Sequence, residues 1–210
     1  MKYIVKDNFL KTNERFGGLL PIVVDMETSG INPDSNAILE LASIVLYLND
    51  KLDLQCGNFF SCHVRPFPSS KIDPSSMYIN TIEIENPFRL ALSEEEAINR
   101  LFRFVYMNLR NFGCRKAVLV GHNANFDLAF LESARKRYKI DSPFHTFTVI
   151  DTATIGAVFY GKTVLANVVN ASNMRFNPKL AHSAIYDAKI TTDLFCSVTN
   201  SQERYLKNLF

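Results

Sequence analysis

A chain of 210 residues with 47% hydrophobic content is long enough to bury one sizeable core. The formal net charge of +2 leaves a nucleic-acid partner open, but it requires any basic patch to be local. No apolar run approaches the roughly 20 residues that cross a bilayer, and Met1 to Arg15 lacks the continuous apolar stretch of a signal peptide. Cys56, Cys62, Cys114 and Cys196 show no paired short spacing and no companion histidine cluster. They are expected to be small buried hydrophobes in a reducing compartment, and not a zinc site. A soluble, cytoplasmic, single-domain protein spanning 1–210 is the expectation, with residues 1–16 as a leader that is loosely ordered or packed on a partner.

In chain order, Leu20, Ile22, Val24 and Met26 alternate with Pro21, Val23, Asp25 and Glu27, which predicts a β-strand. Thr28-Ser29-Gly30 and Asn32-Pro33-Asp34 follow as a turn-rich loop. Ala37 to Leu48 is strongly apolar with one embedded acid, Glu40, and predicts a central strand; Asn58 to Val64 predicts an edge strand. Short turns between these three imply an antiparallel meander. Lys71 to Leu92, punctuated by Pro74 and Pro87, is expected to hold short helices and loop. Ser93-Glu94-Glu95-Glu96 has the pattern of a capping box, with Ser93 capping amides and Glu96 reaching back. Behind it Ala97, Ile98, Leu101, Phe102 and Val105 recur at helical spacing, predicting a helix to about Asn111. Ala117 to Val120 predicts a buried strand and Phe126 opens another helix; Phe147 to Ile150 predicts a last strand. Helices are expected over 152–160 and 163–171 and from after His182 to about Thr199. The class is α/β, a mixed sheet covered by helices.

The chemistry concentrates in five residues. Period two places Asp25 and Glu27 on one face, about 6 to 7 Å apart along the strand. Two carboxylates that close repel unless a cation or a proton lies between them. Taken alone, such a pair is also what the wet face of an edge strand shows. Asp127 falls in the first turn of a helix that follows a strand, where amides and the helix dipole face an anion. His182 and Asp187 are five apart, too far round a helix to share a face, so His182 is placed on the preceding loop and Asp187 on the helix. Asp25, Glu27, Asp127 and Asp187 are hard oxygen ligands suited to Mg²⁺ or Mn²⁺, and His182 adds an imidazole, a side chain suited to general-base work. Together they suit two-metal hydrolysis of a phosphodiester.

The segments Asp25-Met26-Glu27-Thr28, His122-Asn123-Ala124-Asn125-Phe126-Asp127 and Ala181-His182-Ser183-Ala184-Ile185-Tyr186-Asp187 resemble those of the DEDDh exonucleases of the RNase H-like fold. The five-residue step from His182 to Asp187 matches the histidine branch of that family. From about Arg15 to Asn200 the chain is most similar to its ribonuclease T group, with Phe144-His145 and Phe147 ahead of Asp151-Thr152-Ala153. The resemblance implies an RNase H-like sheet of five strands, three antiparallel plus two parallel, flanked by helices. It implies two Mg²⁺ ions, with Mn²⁺ as a substitute, at a metal site of Asp25, Glu27, Asp127, His182 and Asp187, in which His182 is also the general base. It further implies a homodimeric 3′-5′ exoribonuclease that trims tRNA and other RNA 3′ ends, and single-stranded DNA, to nucleoside 5′-monophosphates.

In that group terminal bases stack on four phenylalanines. Phe126 and Phe147 match two of them, while Ile31 and Ile79 stand at the other two, and Ser75 stands where a glutamate contacts a base. Arg15, Arg110 and Lys116 fall where the group carries a basic patch, which on one subunit feeds RNA to the other's site; Gly17 stands where another arginine is usual. Rival readings are a proofreading-type DNA exonuclease or an oligoribonuclease of the same fold, and, in a different class, an inactive nucleic-acid-binding module.

Overall fold

The computed structural model describes residues 12–208. In chain order its elements are α1 (Thr12–Arg15), β1 (Leu19–Thr28), β2 (Ile38–Leu48), β3 (Leu54–His63), α2 (Pro74–Asn80), a 3-10 turn (Pro87–Arg89) and α3 (Glu94–Phe112). They continue as β4 (Lys116–Gly121), α4 (Asn125–Tyr138), β5 (Phe144–Asp151), α5 (Thr152–Tyr160), α6 (Leu165–Ala171) and α7 (Ala184–Asn208). The sheet order β3-β2-β1-β4-β5 puts β1 in the centre. It pairs antiparallel with β2, and β2 antiparallel with β3, while β1 with β4 and β4 with β5 are parallel. This is the expected mixed sheet. The parallel pairs need crossovers, and α3 and α4 supply them.

Period two along β1 sorts its side chains between two cores. Leu20, Ile22, Val24 and Met26 pack with Ile98, Leu101, Phe102 and Val105 of α3 and with Phe130 and Leu131 of α4. Val23 faces the other way, among Ala42, Ile44 and Leu46 of β2 and Ala184, Ala188 and Phe195 of α7. Asp25 and Glu27 share the face of Val23, so both carboxylates point to the α7 side.

Several expectations are revised in detail. The Ser93 hydroxyl accepts the Glu96 amide at 3.2 Å, but the Glu96 carboxylate takes the Arg100 guanidinium at 2.6 Å and does not reach back. An ion pair one turn along is a charge-assisted alternative to the capping-box contact. Strand β3 begins at Leu54, ahead of the expected Asn58, and α7 runs to Asn208, beyond the expected Thr199. Of the expected leader, residues 1–11 lie outside the described residues. Thr12–Arg15 is a helical turn on the protein's own sheet: the Thr12 hydroxyl accepts the Leu48 amide at 2.9 Å, and the Phe16 ring lies 6.4 Å from that of Phe195. The cysteines are all free thiols, yet none is fully buried and Cys56 is exposed. Cys56 and Cys62 ride on the edge strand β3, where every residue has less sheet around it.

Candidate active site

The carboxylates meet at the C-terminal ends of the parallel strands β1 and β4. Leu19 pairs with Lys116 and the register continues to Val23 opposite Val120, so the turn that follows Gly121 sits beside Asp25. That turn needs a glycine: a β-carbon at Gly121 would stand 3.2 Å from the Ala124 Cα and 3.3 Å from the Val24 carbonyl oxygen. Asn123 adopts φ 64° and lets the chain enter α4. Asp127 is then buried in the first turn of α4, where its own amide and that of Met26 face its carboxylate. The turn is pinned from β5. Asp151 Oδ1 accepts the Asn123 amide at 2.9 Å and caps α5 through the Ala153 amide at 3.0 Å. The His122 ring spans the Thr152 hydroxyl at 3.0 Å and the Thr163 carbonyl at 2.7 Å.

From the opposite side α7 delivers Asp187, which is buried, and the loop before it delivers His182, which is exposed. The His182 amide donates to Asp187 Oδ2 at 2.9 Å. That bond holds His182 at φ 62°, a left-handed conformation that costs a non-glycine residue energy. One ligand atom each from Glu27, His182 and Asp187 lie within 4.8 Å of one another. The loop-and-helix split between His182 and Asp187 is as the spacing predicts.

The electrostatics follow from the crowding. Burial, then the charges of Asp127, Asp187, Glu27 and Glu40, hold the Asp25 carboxyl well above the ordinary carboxylate range. Glu27 is pushed up to about 8 by burial and by Asp187 and Glu40. Asp127 is raised too, because burial outweighs the two amides that face it, and burial likewise raises Asp187 against the opposing His182. Four carboxylates this close hold on to protons unless a cation compensates them. Hard oxygen donors around one centre, with an imidazole at the edge, fit divalent metal.

The four positions expected to form the rim of the site are apolar and mostly exposed. Phe147 is 90% exposed, Ile31 80% and Ile79 55%. Phe126 is half-buried, its ring centre 4.9 Å from that of Phe130. The segments beneath are tied down. Asn36 accepts the Asn32 amide at 2.9 Å and donates to the Lys71 carbonyl at 2.8 Å, and Asn80, next to Ile79, donates to the Thr28 carbonyl at 3.1 Å. Ser75 is exposed at the start of α2, its hydroxyl donating to Asp73 Oδ1 at 2.8 Å.

The three basic positions lie at the other end of the sheet. Arg15 precedes β1, Arg110 is in the last turn of α3, and Lys116 opens β4 opposite Leu19. From Leu19 to Asp25 the strand advances about 20 Å at about 3.3 Å per residue. The Lys116 ammonium donates to the Ser142 carbonyl at 2.8 Å and the Arg15 guanidinium sits 5.5 Å from the Phe16 ring centre. The structure thus brings Asp25, Glu27, Asp127, His182 and Asp187 together and holds Arg15, Arg110 and Lys116 apart from them.

Sequence reasoning left out the residues that hold the site. His122 and Asp151 appeared only inside motifs, and Asn80 carried no signal. Glu40 had one, an acid inside an apolar strand.

Comparison with known proteins agrees with this geometry. The pattern of the RNase_T family, described as exonuclease, matches residues 22–195. Ribonuclease T of Actinobacillus pleuropneumoniae is 42% identical over 194 residues, 92% of this chain and 88% of that protein. Ribonuclease T of Haemophilus ducreyi is 40% identical over 198 residues, 94% of this chain and 92% of the relative. Among solved structures, E. coli exonuclease I in complex with a dT13 oligonucleotide superimposes with a TM-score of 0.69 at 17% identity. That match covers 91% of this chain but only 43% of exonuclease I, so it speaks to the fold alone.

Proposed function

This chain belongs to the exonuclease family that includes ribonuclease T and is a metal-dependent 3′-5′ exonuclease; from that premise we propose that it trims the short single-stranded 3′ ends of tRNA and other structured RNAs. The products are nucleoside 5′-monophosphates, and single-stranded DNA ends are a second substrate. The observation that carries the reading is the convergence of four carboxylates and an exposed histidine at the C-terminal ends of β1 and β4. Asp25, Glu27 and Asp187 are the residues to hold one Mg²⁺, with Asp25 and Asp127 holding a second; Mn²⁺ suits the same donors. Such ions, when bound, lower the pKa of the attacking water and offset charge on the phosphate in flight.

The protein's own groups do the rest. His182, exposed beside Glu27 and Asp187, takes the proton of the attacking water. Ile31, Ile79, Phe126 and Phe147 grip the last bases. Arg15, Arg110 and Lys116 lie at the far end of the sheet from the carboxylates, an arrangement that suits a homodimer in which each patch serves the partner's site.

The test is a 5′-labelled RNA with a short unpaired 3′ end, incubated with Mg²⁺ or with EDTA. Stepwise shortening with 5′-mononucleotide release, only with metal, is expected. No metal-dependent release from any single-stranded end would overturn the reading. A clear preference for dinucleotides, or for mismatched DNA primers, would move it to the oligoribonuclease or the proofreading type.

A further inference from the structure

Glu40 is a charged residue between Leu39 and Leu41, both fully buried in the core. The register explains where it points. Glu27 on β1 is paired with Glu40 on β2, and Glu40 with His63 on β3. Three ionisable side chains therefore form one row across three strands, on the face covered by α7. Like charges directly opposite on a sheet repel, so a row of this kind has to be compensated.

The compensation comes from α7 and from Arg89. Glu40 Oε1 lies 3.1 Å from His63 Nδ1, off the line of a hydrogen bond. Glu40 Oε2 accepts the Ala184 amide at 3.2 Å. The charge of Arg89 also faces Glu40, and its guanidinium is anchored on the Leu39 carbonyl at 2.7 Å. Ala184 is the first residue of α7, and the first amides of a helix have no partner within it. A carboxylate there is also favoured by the helix dipole. One turn on, Asp187 reaches back to the His182 amide. The same short stretch, 182–187, thus carries two of the residues of the site and is fastened to the sheet through Glu40. Glu40, His63 and His182 line one cavity of about 680 Å³.

We propose that Glu40 is a positioning residue for the reaction, docking the N-terminus of α7 on the sheet so that Asp187 and His182 meet Glu27. The inference rests on the exonuclease reading for its rate effect, but the docking itself is measurable without turnover. Glu40→Gln keeps an acceptor oxygen for the Ala184 amide; Glu40→Ala removes it, and Glu40→Leu removes it while filling the space. Ala and Leu are expected to lower kcat on single-stranded RNA by about 10–100-fold, the range for a residue that orients those around a metal. KM should stay within about twofold of the wild type, and Gln should recover most of kcat. In metal-free protein the Ala184 amide should exchange hydrogen faster in the Ala and Leu variants and keep its protection in Gln.

Two results overturn the idea: wild-type kcat and wild-type exchange at Ala184 in a folded Leu or Ala variant, or a Gln variant as slow as Ala with Ala184 still protected. The second would mean that charge, not docking, is what matters. An inactive wild type would instead break the exonuclease reading, and the exchange measurement would still decide the docking.

Discussion

The floor of the site and its rim are built on opposite terms. On the floor, Asp127 and Asp187 are buried, the Asp187 carboxylate accepting the His182 amide, while Asp25 and Glu27 are set by the register of the central strand. On the rim, Ile31, Ile79 and Phe147 are largely in solvent, although the backbone under them is hydrogen-bonded in place. A change on the floor disturbs a mutually dependent set of charges. On the proposed function, a change on the rim alters what a base touches, so the floor would set the reaction and the rim the substrate preference.

The sharpest way to break that contrast is to remove one floor carboxylate. Asp25→Asn or Asp187→Asn is expected to reduce release of mononucleotides from labelled RNA to background. The fold should survive, and in EDTA the variant should melt at or above the wild-type temperature, because a repelling charge has gone. In the wild type, Mg²⁺ should raise the melting temperature, and in Asp25→Asn it should raise it much less. Near-wild-type turnover in either variant would remove that residue from the machinery.

His182, proposed as the general base, is exposed, and its substitution is the next largest effect. His182→Ala should lower kcat by roughly 10²–10⁴-fold, the cost of a lost general base. The Mg²⁺-dependent gain in melting temperature should largely remain. If turnover is unchanged, another group takes the proton.

The rim is expected to respond more gently. Aromatic stacking contributes about 1–3 kcal/mol per base by alanine substitution, and isoleucine already supplies part of that as apolar contact. Ile31→Phe with Ile79→Phe should therefore tighten binding of oligonucleotides ending in A, G, U and C. The gap between C and the other ends should widen. Identical affinity and base preference in the double variant would show that these two positions do not hold the terminal bases.

The smallest effect belongs to the far end of the sheet. Arg110→Glu should weaken RNA binding and flatten the salt dependence, each lost phosphate contact reducing the slope by about 1. Mixing Arg110→Glu subunits with Asp25→Asn subunits should restore some activity, since one intact site then faces one intact patch. No recovery, with heterodimers confirmed, would argue against feeding across a dimer.

What the amino-acid sequence determined by itself was the set of local patterns and the chemistry they carry. The alternation of β1, the buried face of α3, the Ser93 cap and the His182–Asp187 step each depend on residues within a turn or two of one another, so neighbours suffice to encode them. Carboxylates are the donor type that suits a divalent metal, and residue type alone carries that much of the chemistry. Where side chains choose among distant partners, only the tertiary structure decided. Thr12–Arg15 settled on the protein's own sheet, and Arg15, Arg110 and Lys116 ended at the end of the sheet away from the carboxylates. The row Glu27, Glu40, His63 exists only because two antiparallel registers align three strands. Asp127 meets Asp25 only because a parallel crossover returns the chain beside β1. Register and crossover are set by burial summed over whole faces of the sheet, and no single segment contains that sum.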